Sequence, residues 1–270
     1  MALEQVAQKG LVLLGCGKMG SALLAGWIAA GLPPRSVWVL EPNPSDWLVA
    51  AGVHLNKGVP PAPAVALLAV KPQMMGAALP SLQALGNGST LVVSIAAGTS
   101  IATFEEVFGA RTPIVRTMPN TPAMVGRGIT GIVGNAHAGA DGLALAEALM
   151  AAVGEVVRLD NEAQIDAVTG VSGSGPAYVF HLIEAMAQAG VAQGLSAEVS
   201  MKLARATVCG AGELAFRCSD TAAQLRINVT SPGGTTAAAL AHLMDSDSGM
   251  PPLLARAVAA ATERGRELSK

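Results

Sequence analysis

Between Leu11 and Leu159, short unbroken apolar runs alternate with segments of helical periodicity. The runs are Leu11–Leu14, Val37–Leu40, Val65–Val70, Leu91–Ile95, Ile114–Met118, Ile129–Val133 and Val156–Leu159. Helical patterns between them cover Ser21–Ala30, Gln73–Leu85, Ile101–Phe108 and Ala140–Val153. A strand that is apolar along its whole length has to be buried on both faces. Strands of this kind joined by helices meet that condition in a mostly parallel sheet with helices on either side. The expected fold class is therefore α/β, with a Rossmann-type sheet in the N-terminal part.

The pattern changes near Asp160. From Gln164 onward no segment reads as a strand, and helical patterns run over Ala177–Ala189, Ala197–Phe216, Thr236–Leu243 and Pro252–Leu268. The chain's 270 residues suffice for two domains. The division expected is a sheet domain over 1–160 and an all-helical domain over 161–270.

Composition narrows the function. At 51% hydrophobic and 13% charged, the chain carries more apolar surface than its own cores need. A buried subunit interface absorbs such a surplus, since obligate interfaces resemble a core cut in half. The net charge is −2 and no basic run occurs, which excludes the positive footprint of a nucleic-acid binder. Cys16, Cys209 and Cys218 form no disulfide framework and no metal-ligand spacing, so a cytoplasmic protein without metal is expected. The apolar run ahead of Cys16 is too short for a signal peptide. The stretch from Leu11 to Leu32, with Lys18 and five glycines, does not read as a membrane span.

Gly15-Cys16-Gly17-Lys18-Met19-Gly20 follows the first strand and opens a helix, the context a dinucleotide-binding turn requires. In that reading Gly15 permits the turn, Gly17 admits the pyrophosphate, and Gly20 lets helix and sheet approach. Glu41 ends the second strand, where a carboxylate binds a ribose 2′-hydroxyl and repels a 2′-phosphate. A plain turn acid is the competing reading. Val70-Lys71-Pro72 ends another strand at the sheet edge where ligands collect, placing Lys71 near a ribose or phosphate. Ser94-Ile95-Ala96-Ala97-Gly98 leaves room for a flat ring, with plain loop architecture as the competing reading for both segments. Asn120, in Met118-Pro119-Asn120-Thr121-Pro122, is read either as a carboxamide donor or as a turn cap.

A second glycine-rich segment, Ser231-Pro232-Gly233-Gly234-Thr235-Thr236, precedes a helix. Its free N–H groups form a nest suited to a carboxylate, with Asn228 upstream as a further donor. Ser172-Gly173-Ser174-Gly175-Pro176 reads as a helix cap. Nothing resembles acid–base machinery: the four histidines have no paired acid, and Tyr178 is the single tyrosine.

These motifs together resemble the pyrroline-5-carboxylate reductases. The match comprises Gly15–Gly20, Ala69–Pro72, Ser94–Gly98, Met118–Pro122, Gly170–Tyr178 and Asn228–Thr236, in that order along nearly the whole chain. The resemblance implies a dinucleotide-binding Rossmann domain and a helical dimerisation domain, a homodimer that in some members builds a decamer, and reduction of 1-pyrroline-5-carboxylate to L-proline by NADPH or NADH. It implies cofactor contacts from Leu14, Gly15, Cys16, Gly17, Lys18, Met19, Pro42, Val70, Lys71, Ala97 and Asn228, to which the strand-end reading adds Glu41 and Pro72. Asn56 is carried over as a ribose contact. Substrate contacts fall to Asn228, Ser231, Gly233, Gly234, Thr235 and Thr236, with the Thr236 hydroxyl at the ring nitrogen. Glu41 replaces a small hydroxyl residue common in the family and tilts the expectation towards NADH. Ser219 stands near a position where some members carry a substrate-contacting Glu, so that contact is not transferred. Competing readings are a β-hydroxyacid dehydrogenase, with Lys202 as its acid or base, another imine reductase, and a dinucleotide-binding regulator without chemistry.

Overall fold

The structure, a computed structural model, describes residues 2–268. Its elements are α1 (Ala2–Lys9), β1 (Leu11–Leu14), α2 (Lys18–Ala29), β2 (Val37–Leu40), α3 (Asp46–Ala50), β3 (His54–Leu55), β4 (Val65–Leu68), α4 (Met75–Ala78), β5 (Leu91–Ser94), α5 (Ile101–Phe108), β6 (Ile114–Met118), β7 (Gly128–Gly134), α6 (Gly139–Ala151) and β8 (Gly154–Arg158). Helices α7 (Gln164–Val168), α8 (Gly175–Ala192), α9 (Ala197–Arg217), α10 (Ala222–Asn228), α11 (Thr235–Leu243) and α12 (Met250–Leu268) follow.

The sheet order is β3-β2-β1-β4-β5-β6-β7-β8. Pairing is parallel throughout except between β6 and β7. Odd-numbered residues Leu11, Leu13, Val65, Leu67 and Val93 join Trp27 and Leu149 in one core. Even-numbered Val12, Leu14, Ala66, Leu68 and Val92 pack with Phe104 and Phe108 in the other. This two-faced burial is what unbroken apolar strands demand.

Several segments depart from the expected elements. The stretch expected as one helix over Gln73–Leu85 is 3₁₀ at Pro72–Met74, α-helical at Met75–Ala78 and 3₁₀ again at Leu79–Leu85. Pro80 lies inside it and lacks the N–H that a continuous α-helix needs there. Helix α1, strand β3 and helix α10 were not among the expected elements, although α1 carries a short apolar stripe of Leu3, Val6 and Ala7 that packs on the core.

The chain divides into two compact units. One contains the residues up to Gly173 and those from Ala261, and the other is Ser174–Ala260. The sequence boundary at 160/161 falls earlier because composition shifts there, whereas α7 still packs under the sheet. Ile165 on α7 is 1% exposed and clusters with Met118 and Val133.

The second unit has little core of its own. In α8 and α9 the buried residues are Ala187, Ser200 and Ala204. Gly190 brings these two helices close, because a Cβ there would lie 2.8 Å from Ser200 Oγ. Phe180, Leu203, Leu214, Phe216, Ile227 and Leu253 are all at least half exposed. Apolar surface on this scale calls for cover by another chain. Folding coupled to association makes stability depend on concentration. The thermal midpoint is therefore expected to rise with protein concentration, as followed by circular dichroism over a hundredfold dilution series. A midpoint independent of concentration would contradict the need for cover.

Candidate active site

The first cluster of expected site residues forms where β1, β2, β4 and β5 end side by side. This is the edge of an open α/β sheet at which ligands bind, on either side of the point where strand order reverses. Leu14 ends β1 and is followed by the glycine turn. Glu41 and Pro42 follow β2, Val70, Lys71 and Pro72 follow β4, and Ala97 follows β5. The Gly15 N–H donates to the Leu40 carbonyl at 2.8 Å, and the Ala69 N–H to that of Leu14 at 2.8 Å. The turn thereby stays in register with both neighbouring strands.

The three glycines have separate physical reasons. Gly15 has φ +88°, and a Cβ there would lie 2.8 Å from Val70 Cγ1. A Cβ on Gly20 would lie 2.7 Å from the Gly15 carbonyl oxygen, so only glycine lets α2 settle on the turn. Gly17 is different: it is exposed, and a Cβ there would meet no atom within 4 Å. It is the N-cap of α2 without a side-chain cap, and the first helical bond is made by the Ser21 N–H to its carbonyl at 2.8 Å. The N–H groups of Lys18, Met19 and Gly20 precede that bond and lie at the positive end of the helix dipole. An open glycine with uncapped N–H groups fits a pyrophosphate.

Glu41 is tied to this turn. Its Oε2 accepts from the Cys16 N–H at 2.7 Å and its Oε1 from the Asn43 N–H at 3.0 Å. Asn56, with φ +52°, clasps the Glu41 backbone: its Oδ1 accepts the Glu41 N–H at 3.0 Å and its Nδ2 donates to the Glu41 carbonyl at 2.9 Å. Asn56 thus sits beside Glu41 through contacts that sequence spacing does not reveal. Burial pushes the Cys16 thiol above its ordinary range, a hydrogen bond with Ser21 opposes this, and the Glu41 carboxylate adds to the rise. A thiol held protonated in this way is not a nucleophile near neutrality. Lys71 is exposed at the start of the 3₁₀ turn after β4. Asn120 precedes the 3₁₀ turn Thr121–Val125 without a side-chain cap, and its Oδ1 accepts the Ile129 N–H of β7 at 2.9 Å.

The second cluster lies within Ser174–Ala260. Gly233 has φ +69° and open space around it. Gly234 is the uncapped N-cap of α11, and a Cβ there would lie 2.5 Å from Ser231 Oγ. The first helical bond runs from the Ala238 N–H to the Gly234 carbonyl, leaving the N–H groups of Thr235, Thr236 and Ala237 ahead of it. Asn228 ends α10; its Oδ1 accepts from Gln224 Nε2 at 2.7 Å and its Nδ2 donates to Asp220 Oδ2 at 3.3 Å. Lys202 is an exposed residue of α9, away from either glycine-rich turn in sequence.

Arg116 and Glu162 escaped the sequence reading. Arg116 is 4% exposed on β6, and its Nη1 lies 2.6 Å from Glu162 Oε1. The signal was present, since a lone arginine in the run Ile114–Met118 has no place in an apolar strand unless it is paired.

Residues 162–268 match the family described as pyrroline-5-carboxylate reductase dimerisation. Residues 10–98 match the family described as NADP oxidoreductase, coenzyme F420-dependent. A pyrroline-5-carboxylate reductase of Synechocystis is 43% identical over 267 residues, covering 96% of this chain and 98% of its own. That of Pseudomonas aeruginosa is 39% identical over 266 residues, covering 96% and 97%. The structure of the Coxiella burnetii reductase superposes with a TM-score of 0.89 at 35% identity over 97% of this chain and 99% of its own. The Plasmodium falciparum enzyme, solved with NADP bound, gives 0.82 at 29% identity over 97% and 98%.

The glycine geometry separates two substitutions. Gly17→Ala is expected to leave thermal stability unchanged and to weaken NADH binding about tenfold, or ~1.4 kcal/mol. Gly20→Ala is expected to lower stability by about 1–3 kcal/mol, because the new methyl meets backbone. Fluorescence titration with NADH and urea unfolding distinguish the two; equal behaviour would refute the assignment of roles.

Proposed function

The chain belongs to the pyrroline-5-carboxylate reductase family, and from that premise we propose a division of labour between its two glycine-rich helix starts. The protein is an NAD(P)H-dependent oxidoreductase that reduces 1-pyrroline-5-carboxylate to L-proline, a step of proline biosynthesis. The cofactor, when bound, supplies hydride to the C=N carbon of the cyclic imine.

The open, uncapped start of α2 carries this reading. Gly15 to Met19 hold the pyrophosphate on backbone N–H groups, with Leu14, Val70, Lys71, Pro72 and Ala97 lining the strand ends where the reactive ring is oriented. Glu41, Pro42 and Asn56 receive the adenosine ribose. The Glu41 carboxylate, held by the Cys16 and Asn43 N–H groups, puts negative charge where a 2′-phosphate would go. That charge favours NADH over NADPH.

The start of α11 receives the substrate. Ser231, Gly233, Gly234 and Thr235 shape a nest for its carboxylate, and the Thr236 hydroxyl meets the ring nitrogen, with Asn228 as a further donor beside that turn. A protonated imine is electrophilic, and its product nitrogen takes up no proton from a dedicated residue. The protein's contribution is then orientation and electrostatic matching, a source of up to ~7–11 kcal/mol in favourable cases. His181 and Glu184 pair at 3.1 Å on exposed positions of α8, and the proposed chemistry asks no proton transfer of them.

The helical unit oligomerises, as its family match and its apolar surface agree. A homodimer covers that surface, and assembly of dimers into a decamer is the larger form to test. Among the described residues no helix is long and apolar enough to cross a membrane. The three cysteines are unpaired, which suits the cytoplasm.

Two substitutions test the reading. Thr236→Ala is expected to lower kcat by about 10- to 100-fold, the worth of one hydrogen bond to a charged group, with helix content unchanged. An unaltered kcat would remove Thr236 from the reaction. Glu41→Ser is expected to move the ratio of NADPH to NADH efficiency upward by at least about tenfold. A constant ratio would show that Glu41 serves the turn alone.

A further inference from the structure

Arg116 is a charge buried at some cost. A guanidinium taken out of water loses several kcal/mol of hydration unless its donors are all matched. Here Nη1 meets Glu162 Oε1 at 2.6 Å, while Nη2 is buried without a partner. An apolar side chain would suit the interior of the sheet better, so stability does not account for the pair.

Its geometry points to the loop after β5. Glu162 Oε1 accepts, besides Arg116, the N–H of Ile101 at 2.8 Å. Ile101 is the first residue of α5 and closes the loop Ile95–Ser100. The other end of that loop is fixed by Ser94, whose Oγ accepts the Ala96 N–H at 3.2 Å and whose carbonyl accepts from Thr117 Oγ1 at 3.0 Å. At its centre, Gly98 has φ +71°, and a Cβ there would lie 2.9 Å from Leu268 Cβ, at the end of α12. The loop is thus braced at both ends and in the middle by groups distant in sequence. Ala97, half-buried, sits between these braces.

We propose that Arg116 and Glu162, with Leu268 behind Gly98, are positioning residues that hold the Ala97 loop as a rigid backing for the nicotinamide. The inference rests on the cofactor placement proposed above. One carboxylate oxygen, shared between strand β6 and the start of α5, fixes the loop's exit. A displacement of about 1 Å at such a surface costs hydride transfer up to ~100-fold without weakening attachment through the pyrophosphate.

The test pairs two double variants, so that no buried charge is left alone. Arg116→Met with Glu162→Ala removes both the ion pair and the acceptor for Ile101. Arg116→Met with Glu162→Gln keeps that acceptor. The first is expected to lower kcat at least about tenfold, with the NADH dissociation constant within about twofold of the unaltered enzyme. It should also speed amide exchange across residues 96–101. The second is expected to recover most of the rate and the protection. Leu268→Gly, which removes that Cβ at a half-exposed position, is expected to shift kcat and loop exchange in the same direction by less. Unchanged kcat and exchange in the Arg116→Met, Glu162→Ala variant would overturn the proposal. So would a loss of cofactor binding in step with kcat, which marks a merely structural role. If the double variants do not fold, Leu268→Gly with unaltered kcat and exchange overturns it. Turnover of pyrroline-5-carboxylate by the unaltered enzyme separates this failure from a failure of the functional reading; absence of that turnover overturns both.

Discussion

The turn between β1 and α2 is the constraint on which the sheet unit depends. Gly15 lies so near the end of β4 that a methyl group would collide with Val70, and Gly20 lies equally near Gly15. Helix α2 can therefore start only where the strands end. That start fixes the position of its uncapped N–H groups relative to Glu41, whose carboxylate reaches across from β2 to the Cys16 N–H. The site is the residue of a packing solution: strands buried on both faces, a helix pressed onto them, and backbone donors left pointing out.

The helical unit follows another physical logic. Ala187, Ser200 and Ala204 mark a close but small contact between α8 and α9. The larger apolar side chains, such as Phe180 and Leu203, face outward. A unit of this kind completes its core with another chain. Its glycine-rich turn, from Ser231 to Thr236, repeats the device of the first unit: an uncapped helix start with one left-handed glycine. Two such starts suit a reaction between two anionic partners that is governed by placement.

Much of this was legible from the sequence where local chemistry decided the outcome. Leu11–Leu14 and Ile114–Met118 announced strands buried on both faces, and Val37–Leu40 a strand buried on one, because unbroken apolar runs have few other uses. The Gly15–Gly20 turn was legible because glycine spacing carries its own steric meaning. What escaped depended on partners far along the chain. Glu162 lies 46 residues from Arg116 and 61 from Ile101, and no local pattern joins them. The clasp between Asn56 and Glu41 needs the two-residue strand β3, too short for periodicity to show. The dimerisation family match begins at residue 162, beside the expected boundary, while compact packing keeps residues up to Gly173 with the sheet because Ile165 of α7 is buried there.

The measurement that tests the central claim most directly is the product balance of the unaltered protein. NADH and 1-pyrroline-5-carboxylate are mixed, loss of NADH is followed by absorbance, and L-proline is quantified in the same sample. The account predicts substrate-dependent oxidation with one proline formed for each NADH consumed. A folded protein that binds NADH yet forms no proline with either NADH or NADPH would contradict it.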